Sequence, residues 1–295
     1  MKREARVALQ RAEKLKESGE LPAAIAELER AVALEPDLPS ARLALGSAWL
    51  DAGETDKAME ILSPLMTPRS VYRAAATEKL KQVEQLRSLE RSPPGYVRHL
   101  FDQFSQHYDL QMVEDLAYCA PAILRRLAEL LGCIEAPVDV LDLGCGTGLA
   151  GEVFKPLARR LDGVDLSPRM IAEARRKAIY DKLSTADVET FLAAPGWHYD
   201  LLLAADVLVY FGHLAEVFHG AKRKLRPGGW FLFTVEKHGG GGFALGPKRR
   251  YRHSADYIRE TAMSVGFDCM GLIDCSPRKD AGEPVEGLAV AFRNI

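Results

Sequence analysis

The sequence predicts an α/β fold, a mostly parallel sheet with helices on both faces, preceded by an all-α domain. Residues 1–90 are rich in Ala, Leu, Glu and Arg at helical spacing. From about 138 to 235, apolar runs alternate with helical segments, and a glycine-rich loop follows the first run. Strands that alternate with helices form parallel sheets covered on both faces.

The composition is that of a folded chain of about two domains, with 295 residues, 47% hydrophobic and 27% charged. The net charge of -2 gives no global attraction to polyanions, so we expect no nucleic-acid partner. The five cysteines form no CxxC pair, which argues against a disulfide framework and a zinc site, and we expect no metal. With no apolar leader and no run long enough to cross a bilayer, we expect a cytoplasmic protein without membrane association.

The first 90 residues match themselves at an offset of 34 residues. The matching pairs are Ala12 and Gly46, Leu15 and Trp49, Ala24 and Ala58, and Leu28 and Leu62. This period, with small residues where two helices cross, predicts tetratricopeptide repeats, with turns near 18–20 and 52–54 and a covering helix at about 72–91. The alternative is a plain helical bundle that merely supports the rest of the chain. Stacked hairpins present a concave face that holds a peptide, a second protomer or nothing.

The segment Ser92-Pro93-Pro94-Gly95 ends the helix, because proline disfavours the helical conformation in the residue before it. We therefore expect a repeat domain over 1–91 and a second domain over 92–295. Helices are expected in the second domain at about 98–104, 113–131, 214–225 and 254–264.

The first strand of the second domain is expected at 138–143 and ends in the loop Gly144-Cys145-Gly146-Thr147-Gly148. Glycines there let a ligand approach bare main chain at the carboxyl end of a strand. A pyrophosphate fingerprint reads G-x-G-x-x-G, whereas here Leu149 occupies the third glycine position. A smaller, cationic ligand facing Asp142 is therefore favoured over a pyrophosphate.

Acidic residues follow the next strands in turn. Asp165 follows the strand at 160–164, Asp187 follows the third strand, and Asp206 follows the strand at 199–205. An acid at the tip of the second strand accepts both hydroxyls of a ribose in nucleoside-binding sheets. A fifth strand is expected at 230–235, after Arg-Pro-Gly-Gly, and a closing antiparallel pair at 267–273 and 287–293.

The order D-x-G-x-G-x-G, acid, acid, D-x-x-x-Y and L-R-P-G-G resembles the class I S-adenosylmethionine-dependent methyltransferases over about 138–235. The segment Phe101–Asp109 resembles the cover helix of the bacterial members, and the whole arrangement is similar to bacterial methyltransferases that carry tetratricopeptide repeats. The resemblance implies a Rossmann-like seven-stranded sheet and S-adenosyl-L-methionine as the cofactor. One departure is Tyr118-Cys119-Ala120-Pro121, where members of the family tend to read Tyr-Arg-Ala-Pro.

The resemblance also assigns site residues. The amino acid end of the cofactor lies at Asp142, Gly144, Cys145, Gly146 and Gly148, the ribose at Asp165, the adenine at Leu166, Met170, Ala186, Asp187 and Val188, and the methionine moiety at Ala205 and Asp206, with Tyr108 closing the pocket.

Methyl transfer from a sulfonium needs alignment of the acceptor, and a base only if the acceptor must lose a proton. The catalytic candidates are Tyr210, His213, His238 and His253. A histidine in a loop is more often solvated or structural, and Tyr210 is favoured as a pocket-shaping residue. Residues 239–242 are four glycines followed by a basic cluster at 248–252, which predicts either a lid over the acceptor or a solvated loop.

The leading function is therefore a methyltransferase acting on an oxygen or nitrogen atom of a small molecule. The chain lacks the Asn/Asp-Pro-Pro-Tyr/Phe element of the adenine and glutamine N-methyltransferases. One alternative is a methyltransferase acting on a protein or carrier-tethered substrate that the repeats recruit. The partners expected for the repeats are a protein or a second copy of the chain. Another is a cofactor-binding module without catalysis.

Overall fold

The computed structural model describes residues 3–105, 108–134 and 137–295. Gln106 and His107 of the expected cover helix lie outside the described residues. Internal contacts divide the chain into two compact units, one of Met1–Leu89 with Leu245–Arg249, and one of Glu90–Ala244 with Arg250–Ile295.

The first unit consists of helical hairpins. Its described helices are α1 (Arg3–Glu17), α2 (Leu21–Leu34), α3 (Pro39–Asp51), α4 (Thr55–Leu62) and α5 (Arg73–Arg87), with a short 3-10 turn at Ser63–Met66. Gly19 and Gly53 end α1 and α3 with φ of 81° and 79°, a left-handed conformation that favours glycine. The two glycines that end these helices are therefore separated by the predicted offset of 34 residues.

Close helix packing accounts for the small residues of that register. A Cβ atom added at Gly46 in α3 would lie 2.4 Å from Cγ of Leu62 in α4. In the first hairpin, the matching residues Ala12 and Leu28 are buried in one apolar cluster. The 34-residue offset thus corresponds to a packing contact between paired helices.

The second unit is built on a mostly parallel sheet. Its strands are β1 (Val138–Leu143), β2 (Ala158–Asp165), β3 (Lys182–Thr185), β4 (Tyr199–Ala204), β5 (Leu225–Lys237), β6 (Phe243–Leu245), β7 (Tyr251–His253), β8 (Phe267–Cys275) and β11 (Gly287–Asn294), and β9 (Lys279–Asp280) pairs separately with β10 (Glu283–Pro284). The main path is β3-β2-β1-β4-β5-β11-β8. Strands β1 to β5 run parallel, and β11 lies antiparallel between β5 and β8, which confirms the predicted fold class.

The predicted count of seven strands was too low, because β6 and β7 add to the sheet. The pairing of β4 with β5 stops at Phe233, which leaves Glu236 and Lys237 of β5 to pair with Arg252 and His253 of β7. Backbone groups at the end of a long strand need hydrogen-bond partners, and part of the segment expected to be a lid or a solvated loop supplies them.

Helices cover both faces of this sheet. They are α6 (Pro94–Phe104), α7 (Tyr108–Leu110), α8 (Ala120–Leu131), α9 (Leu149–Phe154), α10 (Pro168–Arg176), α11 (Val188–Ala193), α12 (Ala215–Lys224) and α13 (Ala255–Val265). Neighbouring residues of β1 point to opposite faces of the sheet. Val140 lies in one apolar cluster with Leu124 of α8, and Leu141 lies in another with Phe218 of α12.

The prediction of one helix over 113–131 was wrong. A π-helical turn ends at Asp115, Ala117 has a φ of 46°, and α8 begins only at Ala120. Pro121 lies in the first turn of α8, where its missing N–H costs no hydrogen bond, whereas inside one continuous helix its ring would clash with the Ala117 carbonyl. Within the described residues, no helix is both long and apolar enough to cross a membrane.

Candidate functional site

A cavity lies in the second unit at the carboxyl ends of β1, β2 and β4. This is the edge at which open α/β sheets bind ligands. The predicted site residues that line it are Tyr108, Gly144, Gly146, Asp165, Leu166, Asp187, Val188, Ala205, Asp206 and Tyr210. A second, smaller pocket shares Tyr108 and the glycine loop and adds Asp142, Cys145 and Tyr118.

The loop after β1 is tightly folded. Gly144, Gly146 and Gly148 have φ of 64°, 53° and 101°, which residues with a Cβ rarely adopt. A Cβ at Gly144 would also lie 2.5 Å from Val207. Between Gly144 and Gly146, Cys145 is buried and donates its backbone N–H to the Val164 carbonyl at 3.0 Å. The loop is therefore fixed to β2 and leaves bare main chain at the cavity.

Asp165 joins this loop to the end of β2. Its Oδ2 accepts the Gly146 N–H at 2.9 Å, and its Oδ1 accepts the Ser167 N–H at 2.8 Å. Burial raises its pKa to about 6, against the lowering effect of these two donors. Beyond these donors and the Leu166 N–H, the carboxylate keeps acceptor capacity for a hydroxyl group in the cavity.

Asp142 lies at the end of β1 and is 1% exposed. It accepts a hydrogen bond from Tyr180 Oη at 2.7 Å. Burial, together with the nearby charge of Asp165, raises the pKa of Asp142 to about 7. A cationic ligand in the adjoining pocket would favour the ionised form of this carboxyl group.

Asp206 is held by contacts that the sequence did not indicate. Its φ is 61°, its N–H donates to Thr234 Oγ1 at 2.9 Å, and its Oδ1 accepts from Arg278 at 2.5 Å. Arg278 is 2% exposed and also donates to Glu236. Nearby, Tyr118 Oη donates to the Ala205 carbonyl at 3.1 Å. One buried cation thus bridges two carboxylates beside the cavity.

The cover segment is attached to the cavity rim at two points. Ser167 Oγ donates to Asp102 at 2.5 Å, and Asp109 pairs with Lys177 at 2.8 Å and accepts from Thr147 of the glycine loop. These bonds hold residues 94–105 and 108–115 against the glycine loop and α10.

Aromatic side chains of the cover segment form part of the cavity wall. The Phe101 ring lies edge-on to Tyr108 and Tyr210, with centroid distances of 6.0 Å and 5.7 Å. Burial raises the pKa of Tyr108, so its hydroxyl stays protonated at neutral pH.

The predicted histidines do not line this cavity, whereas Tyr210 does. His213 is exposed and His238 is half-buried. His253 is fully buried, its Nε2 donates to the Gly212 carbonyl at 3.0 Å, and burial lowers its pKa to about 4. His253 therefore supports the loop after β4.

Three predicted cofactor residues also lie outside the two pockets. Met170 is fully buried, Ala186 packs against an apolar cluster, and a Cβ at Gly148 would face Tyr180 at 3.1 Å. Over the described ranges, no group of three or more metal-ligating side chains is placed to hold a metal ion.

Sequence reasoning did not find three residues of the site, Arg91, Tyr180 and Arg278. Arg91 lines the cavity, and the other two donate hydrogen bonds to Asp142 and Asp206. None of the three belongs to a recognisable motif.

Comparison with known proteins agrees with this architecture. Residues 141–233 match the family model of a methyltransferase domain, and residues 15–69 match that of a tetratricopeptide repeat. The chain is 40% identical over 110 residues to a trans-aconitate 2-methyltransferase of Methylobacterium nodulans, covering 36% of this chain and 42% of that enzyme. It is 31% identical over 132 residues to a malonyl-[acyl-carrier protein] O-methyltransferase of Enterobacter lignolyticus, covering 45% and 48%. The chain thus spans about half the length of the curated relatives it matches.

A solved structure shares the fold at lower identity. The 1,6-didemethyltoxoflavin-N1-methyltransferase of Burkholderia thailandensis, determined with 1,6-didemethyltoxoflavin and S-adenosylhomocysteine bound, superposes with a TM-score of 0.53 at 20% identity, covering 69% of this chain and 90% of that one. The chain is thus similar to methyltransferase domains over residues 141–233 and to tetratricopeptide repeats over residues 15–69, and its second unit shares the fold of that solved methyltransferase.

Proposed function

We propose that the protein binds S-adenosyl-L-methionine in the described cavity and transfers its methyl group to an oxygen or nitrogen atom of a small-molecule acceptor. The observation that carries the proposal is the glycine loop between two buried carboxylates, Asp142 and Asp165, at the ends of adjacent parallel strands. A match to a methyltransferase domain over the same residues supports it.

The residues present fit this cofactor. Asp165 keeps acceptor capacity for a ribose hydroxyl, and Asp187 lines the same cavity and suits the adenine amino group. Gly144 and Gly146 leave space at main chain for the amino acid end. Asp142, whose raised pKa falls when a cation approaches, complements the positively charged end of the ligand.

The sulfonium supplies an activated methyl group and its leaving group, so the protein needs mainly to align the acceptor and exclude water. Burial raises the pKa of Tyr108, so its hydroxyl keeps a proton to donate to a ligand in the cavity, whereas the Tyr118 hydroxyl donates to the Ala205 carbonyl. The described residues that line the cavity include no histidine. We therefore propose an acceptor atom that is already a nucleophile, such as an ionised oxygen or a neutral amine.

Calorimetric binding of S-adenosylmethionine and S-adenosylhomocysteine tests the cofactor, together with an acceptor screen using methyl-labelled cofactor. Asp165→Asn should weaken binding of both compounds by about tenfold or more, because a ribose hydroxyl loses a charged acceptor. The matched control is Asp268→Asn, an exposed carboxylate on β8. Wild-type protein that binds neither compound refutes the proposal, and binding without methyl loss to any acceptor favours a non-catalytic module.

A carrier-tethered acceptor is the second candidate, favoured by the repeat match over 15–69 and by the relative named as acting on an acyl carrier protein. It predicts a kcat/KM for a carrier-bound acceptor well above that for the same free acid. Equal values for the full-length chain would reject it.

A further inference from the structure

Arg91 reaches the cavity from outside the matched methyltransferase segment of 141–233. Its backbone forms an antiparallel bridge with Phe211, in the loop after β4. On either side, the Glu90 carbonyl accepts from Gly212 N–H at 2.7 Å, and Ser92 N–H donates to the Tyr210 carbonyl at 2.8 Å. Residues 90–92 are therefore fixed along the cavity rim.

The Arg91 side chain is fixed as firmly as its backbone. One guanidinium nitrogen lies 2.5 Å from Asp187 Oδ2, and the other pairs with Glu189 and lies 3.4 Å from Asp187 Oδ1. The guanidinium carbon lies 4.7 Å from the centre of the Phe211 ring, at cation–π distance. Its charged partners and the ring surround the guanidinium, so its orientation is well defined.

The hydrogen bonds of Asp187 leave one of its acceptor positions unused. Its Oδ1 caps α11 by accepting from the backbone of Glu189 at 3.1 Å and Thr190 at 3.4 Å. Its Oδ2 accepts from Arg91 and retains one lone pair. Because Asp187 lines the cavity, an oriented acceptor is available there for an amino group of a ligand.

We propose that Arg91 is a positioning residue of the cofactor site, which fixes Asp187 as the acceptor for the adenine amino group. The inference rests on the proposed cofactor. It implies that recognition of the nucleobase depends on residues 90–92, which precede the matched domain. Arg91 acts through Asp187 and not on the transferred methyl group.

The test compares S-adenosylhomocysteine with S-inosylhomocysteine, in which a carbonyl oxygen replaces the amino group. Calorimetry gives the Kd of each compound for wild type, Arg91→Met, Arg91→Lys and the control Arg126→Met, whose side chain is 71% exposed on α8. Wild type and control should prefer the adenine compound. Arg91→Met should bind it about tenfold more weakly while its Kd for the inosine compound changes little, because only the adenine compound donates to Asp187. Arg91→Lys keeps the positive charge but lacks the two parallel N–H donors of the guanidinium. Its Kd for the adenine compound should therefore lie between those of wild type and Arg91→Met.

Equal weakening of both compounds by Arg91→Met, or no change for either, overturns the inference. If wild type binds neither compound, the proposed cofactor itself is wrong, which separates the two failures. Should Arg91→Met fail to fold, Arg91→Lys and Glu189→Gln carry the test. Glu189→Gln leaves the Arg91–Asp187 pair intact and should keep the preference for the adenine compound. Loss of that preference in this variant contradicts the inference.

Discussion

Replacing Asp142 with asparagine should stabilise the ligand-free protein, and more so at pH 8 than at pH 5. Asparagine keeps an oxygen that accepts from Tyr180 but removes a carboxyl group that is costly to ionise where it is buried. The pKa of Asp142 is raised from 3.8 to about 7, above its value in the unfolded chain. The cost of the ionised form is therefore absent below pH 4, grows between pH 4 and 7, and is complete above pH 7.

The magnitude follows from the same shift. Each pH unit within that window is worth about 1.4 kcal/mol, so the gain in the free energy of unfolding is about 4 kcal/mol at pH 8 and about 2 kcal/mol at pH 5. For a domain of this size, the gain at pH 8 corresponds to a rise in Tm of roughly 10 °C.

Thermal melts of wild type and Asp142→Asn at both pH values check this expectation, with exposed Asp268→Asn as the control. An equal rise in Tm at pH 5 and pH 8, or a fall at pH 8, would refute the reasoning. Under the proposed function, the same substitution should weaken binding of the cationic cofactor, because asparagine supplies no charge. Stability and ligand binding would then change in opposite directions.

Further predictions concern the bridging cation, the repeats and the buried histidine. Arg278→Met should lower the free energy of unfolding in urea by about 1–3 kcal/mol, because Asp206 loses its ion-pair partner while Glu236 keeps Arg250 and Arg252; an unchanged free energy of unfolding would contradict this. Gly46→Ala should cost about 1–3 kcal/mol, since its methyl group would overlap Leu62. Partial recovery by Leu62→Val would identify the contact, and no recovery would point elsewhere. His253→Asn should leave the pH dependence of kcat between pH 6 and 8 unchanged, because the pKa of His253 is already lowered to about 4; the disappearance of a titration step in that range would overturn this.

Local patterns in the sequence were sufficient to predict the sheet and the strand-end acids. A buried strand, its glycine loop and the acid that comes after the next strand are contiguous or nearly so, and parallel strands bring their carboxyl ends to one edge. Gly146 and Asp165, which are 19 residues apart, meet for that reason. Arg91 and Arg278 meet Asp187 and Asp206 across 96 and 72 residues, and neither arginine belongs to a motif.

The glycine-rich segment after β5 shows a second limit of sequence reasoning. Four consecutive glycines indicate a flexible loop, yet residues 251–253 pair with the end of β5. That pairing depends on where β4 stops relative to β5, which is a property of the assembled sheet. The pairing therefore depends on the unpaired backbone of a neighbouring strand, which the local sequence of 251–253 does not reveal.

The burial of Cys145 has a consequence for the chemical resistance of the protein. Its thiol lies inside the loop at the candidate ligand site, and burial raises its pKa well above the ordinary value. Oxidants and alkylating reagents attack the thiolate, which is scarce at such a position. Burial likewise raises the pKa of the other four cysteines. Peroxide or iodoacetamide should thus leave ligand binding intact for as long as the fold persists.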